Sequence, residues 1–259
     1  VDLDGKNSKH LTPFDAVQVN LIDVLKDQKD FMIISMNKDN PQIFEPFKIN
    51  INSGELTKLF ENKDPKNPID GYSFDKDGNL KAYVQQQNGI EYVLKYRLSN
   101  DASFKTVLET SWQDSFRIID FNYETANPHD AYVMSNLEND TDEILLYDFE
   151  KGQTIKKIFA HPEFDLSGMS TSRKRGYEVD YIEYNGTKNE IVPLSETYKV
   201  LHKKFSEQFR GLEYSVASVT DEEDKYLLYV GSDALYGVYY IFDAKKQAFK
   251  EVFNLMPQL

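Results

Sequence analysis

The chain has 259 residues, with 43 acidic against 30 basic side chains and a net charge of −13. That excess repels polyanions and argues against a nucleic-acid partner. The absence of cysteine rules out disulfides, thiolate metal sites and a cysteine nucleophile. No apolar run approaches the roughly 18 residues of a membrane span, so no membrane partner is expected.

Taken in chain order, the segments alternate as strands do, and 17 Tyr with 17 Phe suit a pleated, half-buried surface. Residues 1–11, VDLDGKNSKHL, read as a partial strand-turn unit, and three fuller copies follow: FKININSGELTKLF (47–60), ILLYDFEKGQTIKKIF (144–159) and YIFDAKKQAFKEVF (240–253). The strand-ending positions Asp4, Asn50, Ser99, Asp148, Ser195 and Asp243 recur at spacings of 46, 49, 49, 47 and 48. A period in the forties with several short strands per unit is the signature of β-propeller blades.

The strands expected in the first blade are 17–22, 31–36, 44–51 and 56–60, and in the second 71–74, 80–85, 92–98 and 104–108. The third takes 117–121, 131–135, 144–149 and 154–159, the fourth 168–172, 177–184 and 190–194, and the fifth 214–219, 226–231, 237–242 and 249–253. The fold expected is all-β: a β-propeller of five near-complete four-stranded blades plus one extra strand over 1–11, which either completes a ring of five or six blades in this chain or belongs to a larger propeller of which this is a part. The fourth blade departs from the pattern over 195–210. There Tyr198, Leu201, Phe205 and Phe209 recur at helical spacing, so a helix is inserted, capped by Ser195 and ended by Gly211. Its aromatic stripe either packs on the blade or offers a docking surface to another domain.

Few residues suggest chemistry. No G-x-S-x-G elbow occurs; Gly168-Met169-Ser170-Thr171-Ser172 lacks the second glycine and lies in a strand-like segment. His10, His129, His161 and His202 have no metal-ligand spacing, and no phosphate or dinucleotide loop is present. No catalytic, metal or cofactor residue is therefore expected, and no cofactor. Asp75-Lys76-Asp77-Gly78-Asn79 opens like a calcium loop but lacks its closing Glu, and Asp-Gly between strands is a hairpin turn. Asp140, Asp142 and Glu143 read as a solvated loop. The basic run Arg173, Lys174, Arg175 is the one candidate substrate contact. It reads either as a solvated turn or as a site for a substrate carboxylate, which arginine binds through its planar fork. The loops 37–41, 86–90, 136–142, 185–189 and 232–236 join second to third strands, whereas the basic run joins first to second and opens on the opposite face.

Four segments carry a family resemblance, in order: HLTPF (10–14), FMIISMNKDNPQIFEPFKININSGELT (31–57), HPEFDLSGMSTSRKR (161–175) and YYIFDAKKQAFKEV (239–252). They resemble the N-terminal propeller of the prolyl oligopeptidase family of serine peptidases, in its bacterial dipeptidyl aminopeptidase and acylaminoacyl-peptidase branch. The resemblance implies one propeller domain over 1–259 and a C-terminal α/β-hydrolase domain beyond it. That domain would be the partner that holds the catalytic triad. The propeller would be non-catalytic, covering the active site and admitting short peptides. Cytoplasmic and periplasmic locations both stay open. A stand-alone propeller scaffold for protein partners is the alternative, and a metal-dependent propeller enzyme a more distant one.

Overall fold

The computed structural model describes residues 4–258. Of the extra strand expected over 1–11, residues 1–3 lie outside the described residues, and 4–11 are turn, bend and irregular chain. The reason is local. Asp4 Oδ1 accepts the Lys6 N–H at 3.0 Å, and Asn7 sits at φ 52°, so Asp-Gly-Lys-Asn closes a turn rather than extending.

Contacts divide the chain into two compact units: Val1–Ser115 with Phe149–Gly152, and Phe116–Asp148 with Gln153–Leu259. The first unit holds two four-stranded antiparallel sheets. One is ordered β1 (Val19–Asp23), β2 (Phe31–Met36), β3 (Glu45–Asn50), β4 (Leu56–Lys58); the other β5 (Ile69–Phe74), β6 (Leu80–Gln87), β7 (Glu91–Tyr96), β8 (Lys105–Ser111). Between them pack Leu25, Ile33, Phe74 and Leu80. The far face of the first sheet, with Ile34, Met36, Phe47 and Ile49, is covered by Leu11, Phe14 and Val17. Both faces of β2 are thus covered, which is why FMIISM is apolar at every position but Ser35 and does not alternate. The Asp75–Asn79 segment is a turn: Asp75 Oδ1 accepts the N–H of Asp77 at 3.1 Å and of Asn79 at 2.8 Å.

The second unit holds three sheets. The first is β9 (Phe116–Phe121), β10 (Asp130–Ser135), β11 (Glu143–Asp148), β12 (Gln153–Ala160) in consecutive order. The next has only three strands, β13 (Leu166–Ser172), β14 (Glu178–Asn185) and β15 (Asn189–Pro193), followed by helix α1 (Glu196–Gln208). The last is β16 (Glu213–Val219), β17 (Lys225–Ser232), β18 (Leu235–Asp243), β19 (Ala248–Asn254). Five successive up-and-down sheets of this kind are the blades of an all-β propeller. The expected strand positions agree with the observed ones to within a few residues at each end.

Helix α1 stands where a fourth strand would follow β15. Ser195 caps it, its hydroxyl accepting the Tyr198 N–H at 3.0 Å, and the chain leaves through Phe209 and Gly211, the latter at φ +83°. The aromatic stripe packs inward. Phe205 and Phe209 join Tyr214, Tyr226, Leu228, Val230 and Phe242 in one buried cluster. Register explains the choice of residues. The pairs Tyr226↔Phe242, Leu228↔Tyr240 and Val230↔Val238 share the face turned to the helix, while Leu227↔Ile241 and Tyr229↔Tyr239 share the other.

With no fourth strand, β15 has an open edge, and the edge is blunted. Pro193 has no N–H to offer, and the Asn189 N–H is taken by Glu213 Oε2 at 3.0 Å. Proline is a common protection for such an edge, and the Glu213 bond takes up one of its outward N–H groups.

Candidate functional site: the basic turn and the groove beside helix α1

The two features that the sequence sets apart, the basic run and the inserted helix, meet at one groove. It has a volume of 470 Å³ and is lined by Lys174 and Arg175, by Thr197, Val200 and Leu201 of α1, and by Glu222, Glu223, Tyr226 and Ala244. The walls are mostly apolar, and Val200 is 67% exposed.

The turn from β13 to β14 places Arg173, Lys174 and Arg175 against the turn from β16 to β17. Arg173 Nη1 donates to Asp221 Oδ1 at 3.1 Å. Lys174 Nζ donates to the Glu222 carbonyl at 2.7 Å and lies 3.5 Å from its carboxylate. Arg175 makes the densest set. Its Nε donates to Glu178 Oε2 at 2.9 Å, and its two terminal nitrogens pair with Asp180 and Glu223. The other Glu223 oxygen accepts from the Ser172 hydroxyl.

This network also holds the helix. Asp180 Oδ1 accepts the Ser195 hydroxyl at 2.6 Å, so one carboxylate touches both the Arg175 guanidinium and the N-cap of α1. Burial pushes the Asp180 carboxyl above its ordinary range, against the lowering effects of Ser195 and Arg175. Burial alone would lower the Arg175 guanidinium; its bonds to Glu178 and Asp180 outweigh that and raise it. Tyr226 is pushed up to about 12 by burial and then by the charges of Glu223 and Asp180. The arrangement fixes a cationic turn, with Lys174 half exposed at the groove, onto an apolar wall.

The other candidates lie elsewhere. Ser170 is within β13 and not in a strand-to-helix turn. Glu143 is buried and paired with Lys157. The imidazole of His161 accepts the N–H of Glu163 and of Phe164, each at 3.1 Å, at its Nδ1, and Nδ1 of His202 lies 2.7 Å from the Tyr214 hydroxyl. Among the described residues no three His, Cys, Asp or Glu side chains are grouped to hold a metal, and no helix is long and apolar enough to cross a membrane. Sequence reasoning missed the acidic partners Asp221, Glu222 and Glu223. Their signal is the run DEED at the same turn of the following blade.

Comparison with known proteins establishes the fold. No family model matches the chain, and no curated protein matches it. Solved structures do. A prolyl endopeptidase studied for inter-domain dynamics in catalysis and specificity aligns at a TM-score of 0.55 and 12% identity, covering 87% of this chain and 34% of that one. Prolyl oligopeptidase B from Galerina marginata, as the apo protein, aligns at 0.56 and 12%, covering 91% and 33%. A mutant of the same protein bound to a 35mer hydrolysis and macrocyclization substrate aligns at 0.56 and 14%, again covering 91% and 33%. The chain thus spans about a third of the length of these structures, over their propeller part, and its architecture is that β-propeller.

Proposed function

We propose that this chain is the non-catalytic propeller domain of a serine peptidase of the prolyl oligopeptidase kind. Joined to an α/β-hydrolase domain, it covers the active site and restricts entry to short peptides. The observation that carries this reading is the alignment of 87–91% of the chain with the propeller part of prolyl endopeptidases. The ordered sequence segments from His10 to Val252 support it independently.

Within this reading the basic turn is where a substrate carboxylate is met. Lys174 and Arg173 stand at the exposed end of the turn, on partners a substrate could replace: Asp221 and Glu222 are 73% and 79% exposed at their side chains. Arg175 takes part by holding the turn in place through Asp180 and Glu223.

The test is peptidase activity of the full-length protein, with this chain alone as control. Short peptides should be cleaved, a folded protein bearing the same sequence should not, and the isolated chain should cleave neither. A reading frame without a hydrolase domain, or equal cleavage of folded and short substrates, would overturn the proposal.

A further inference from the structure

Residues 8–18 form a strap of irregular chain across the far face of the first sheet. Its inward side chains, Leu11, Phe14 and Val17, recur every third residue and cover Ile34, Met36, Phe47 and Ile49, none of them more than 5% exposed. The near face of the same sheet is covered differently, by the second sheet through Phe74 and Leu80. Among the described residues no backbone–backbone hydrogen bond links residues 8–17 to the sheet, so the strap lies on the sheet without extending it.

A short set of contacts holds the strap. Lys9 Nζ donates to the carbonyls of Asn52 and Ser53 at 2.9 and 3.3 Å. The Leu11 carbonyl passes 3.4 Å from where a Cβ on Gly54 would stand. Lys38 Nζ lies 4.5 Å from the Phe14 ring centroid, a cation–π contact, and the Gln18 N–H donates to Asn37 Oδ1 at 2.7 Å. Pro13 fixes its own φ and biases Thr12 toward extended backbone, so the strap loses little freedom on docking. Apolar anchors at regular spacing with a few polar ties are the features by which a surface holds a separate peptide. The joint to the sheet is strained: Ala16, between Phe14 and β1, has φ 57°, a left-handed conformation that crowds its Cβ.

We propose that this face is a docking surface for an extended segment, and that its occupant here, the strap, exchanges with the strap of a second copy of this chain. A second copy brings the identical Lys9, Leu11 and Phe14 to the same face, so exchange keeps these contacts. It also releases the joint at Ala16, and strain in a short joint favours such exchange. In the monomer the tether gives the strap a local concentration on the order of millimolar, so the exchanged dimer belongs to high chain concentration. The inference is independent of the peptidase reading: it needs only this chain.

The experiment is sedimentation velocity of the unaltered chain at rising concentration, which should show a monomer–dimer equilibrium on approach to about 1 mM. The synthetic peptide KHLTPFDAVQ, residues 9–18, should dissociate the dimer in millimolar excess by filling the face of each copy. The same peptide with Phe14→Ser should need about tenfold more, as loss of one buried aromatic side chain implies. Ala16→Gly, which relaxes the joint, should move the equilibrium to concentrations about fivefold higher or more. A chain that stays monomeric at millimolar concentration, a dimer that the peptide leaves intact, equal potency of the two peptides, or an equilibrium unmoved by Ala16→Gly would overturn the proposal. The first three readings use the unaltered protein, so they decide even if the variant fails to fold.

Discussion

Arg173 and Asp221 stand 48 residues apart and meet at 3.1 Å. The same separation joins Lys174 to Glu222 and Arg175 to Glu223. It is the repeat length of the chain, so three consecutive cations in one blade face three consecutive acids at the same turn of the next. The attraction runs between equivalent positions of neighbouring repeats, and its strength depends on burial. The outer two pairs are solvated and contribute at most about 1 kcal/mol each. The inner one is sheltered, with Arg175, Asp180 and Glu223 side chains 23%, 13% and 12% exposed.

Arg175→Ala should therefore destabilise the second unit by about 3 kcal/mol, because it strands sheltered carboxylates, whereas Arg173→Ala should cost under about 1 kcal/mol. Urea denaturation at pH 7 measures both. The deficit of Arg175→Ala should shrink on acidification. Without the guanidinium the folded-state pKa of Asp180, already raised by burial, rises further, so the folded variant takes up protons before the unfolded chain and regains stability as pH falls. A deficit that is flat between pH 7 and 4 would refute the stranded-carboxylate account.

Ser195→Ala removes the N-cap of α1 and a hydrogen bond to Asp180 together. A loss of about 1–2 kcal/mol is expected, with Ser195→Asp restoring less than a simple cap would, since Asp180 already supplies a negative charge there. Thermal unfolding followed at 222 nm would report it; equal stability of the Ala variant and the parent would exclude the cap.

Gly237 lies in β18 at φ +146° beneath the ring of Tyr229, and a Cβ built there would meet that ring at 2.5 Å. Tyr229 in turn donates its hydroxyl to the Tyr236 carbonyl at 2.8 Å. Gly237→Ala should cost about 2 kcal/mol or more through overlap and backbone strain. Adding Tyr229→Ala should recover the overlap share but not the backbone share. A double variant no better than Gly237→Ala alone would place the whole cost in the backbone.

Tyr132, Tyr181 and Tyr226 are pushed up to about 12, in each case chiefly by burial. The sign follows from proton uptake: above pH 10 the unfolded phenols ionise while the folded ones stay protonated, so the stability they contribute is whole below pH 10 and is lost as pH climbs toward 12. Each unit of separation corresponds to about 1.4 kcal/mol. Absorbance titration at 295 nm should show a late, cooperative group of tyrosines that ionise only with unfolding.

The repeat, the strands and the helix were legible in the sequence because each is a local pattern: alternation, turn residues at a fixed period, and aromatic residues spaced as on α1. The stretch 1–11 misled because Asp-Gly beside apolar residues marks a turn without saying whether strands flank it. The site was half legible. Arg173–Arg175 stood out by composition, but their engagement by Asp221–Glu223 depends on one blade packing on the next. The Asn189–Glu213 bond depends on the same packing. No local window contains it.

Each sheet is built from strands consecutive in sequence, and this bears on how the chain is made. Nearly all pairing partners lie within one 46–49-residue repeat, so loop closure costs little and hairpins form fast compared with synthesis. At 5–20 residues per second a ribosome delivers one repeat in roughly 2–10 s, long against the microseconds a hairpin needs. Each blade can thus complete its ladder before the next emerges. The fourth differs: its helix buries Phe205 and Phe209 against the fifth sheet, so it must wait, with those rings uncovered, for the residues that follow it.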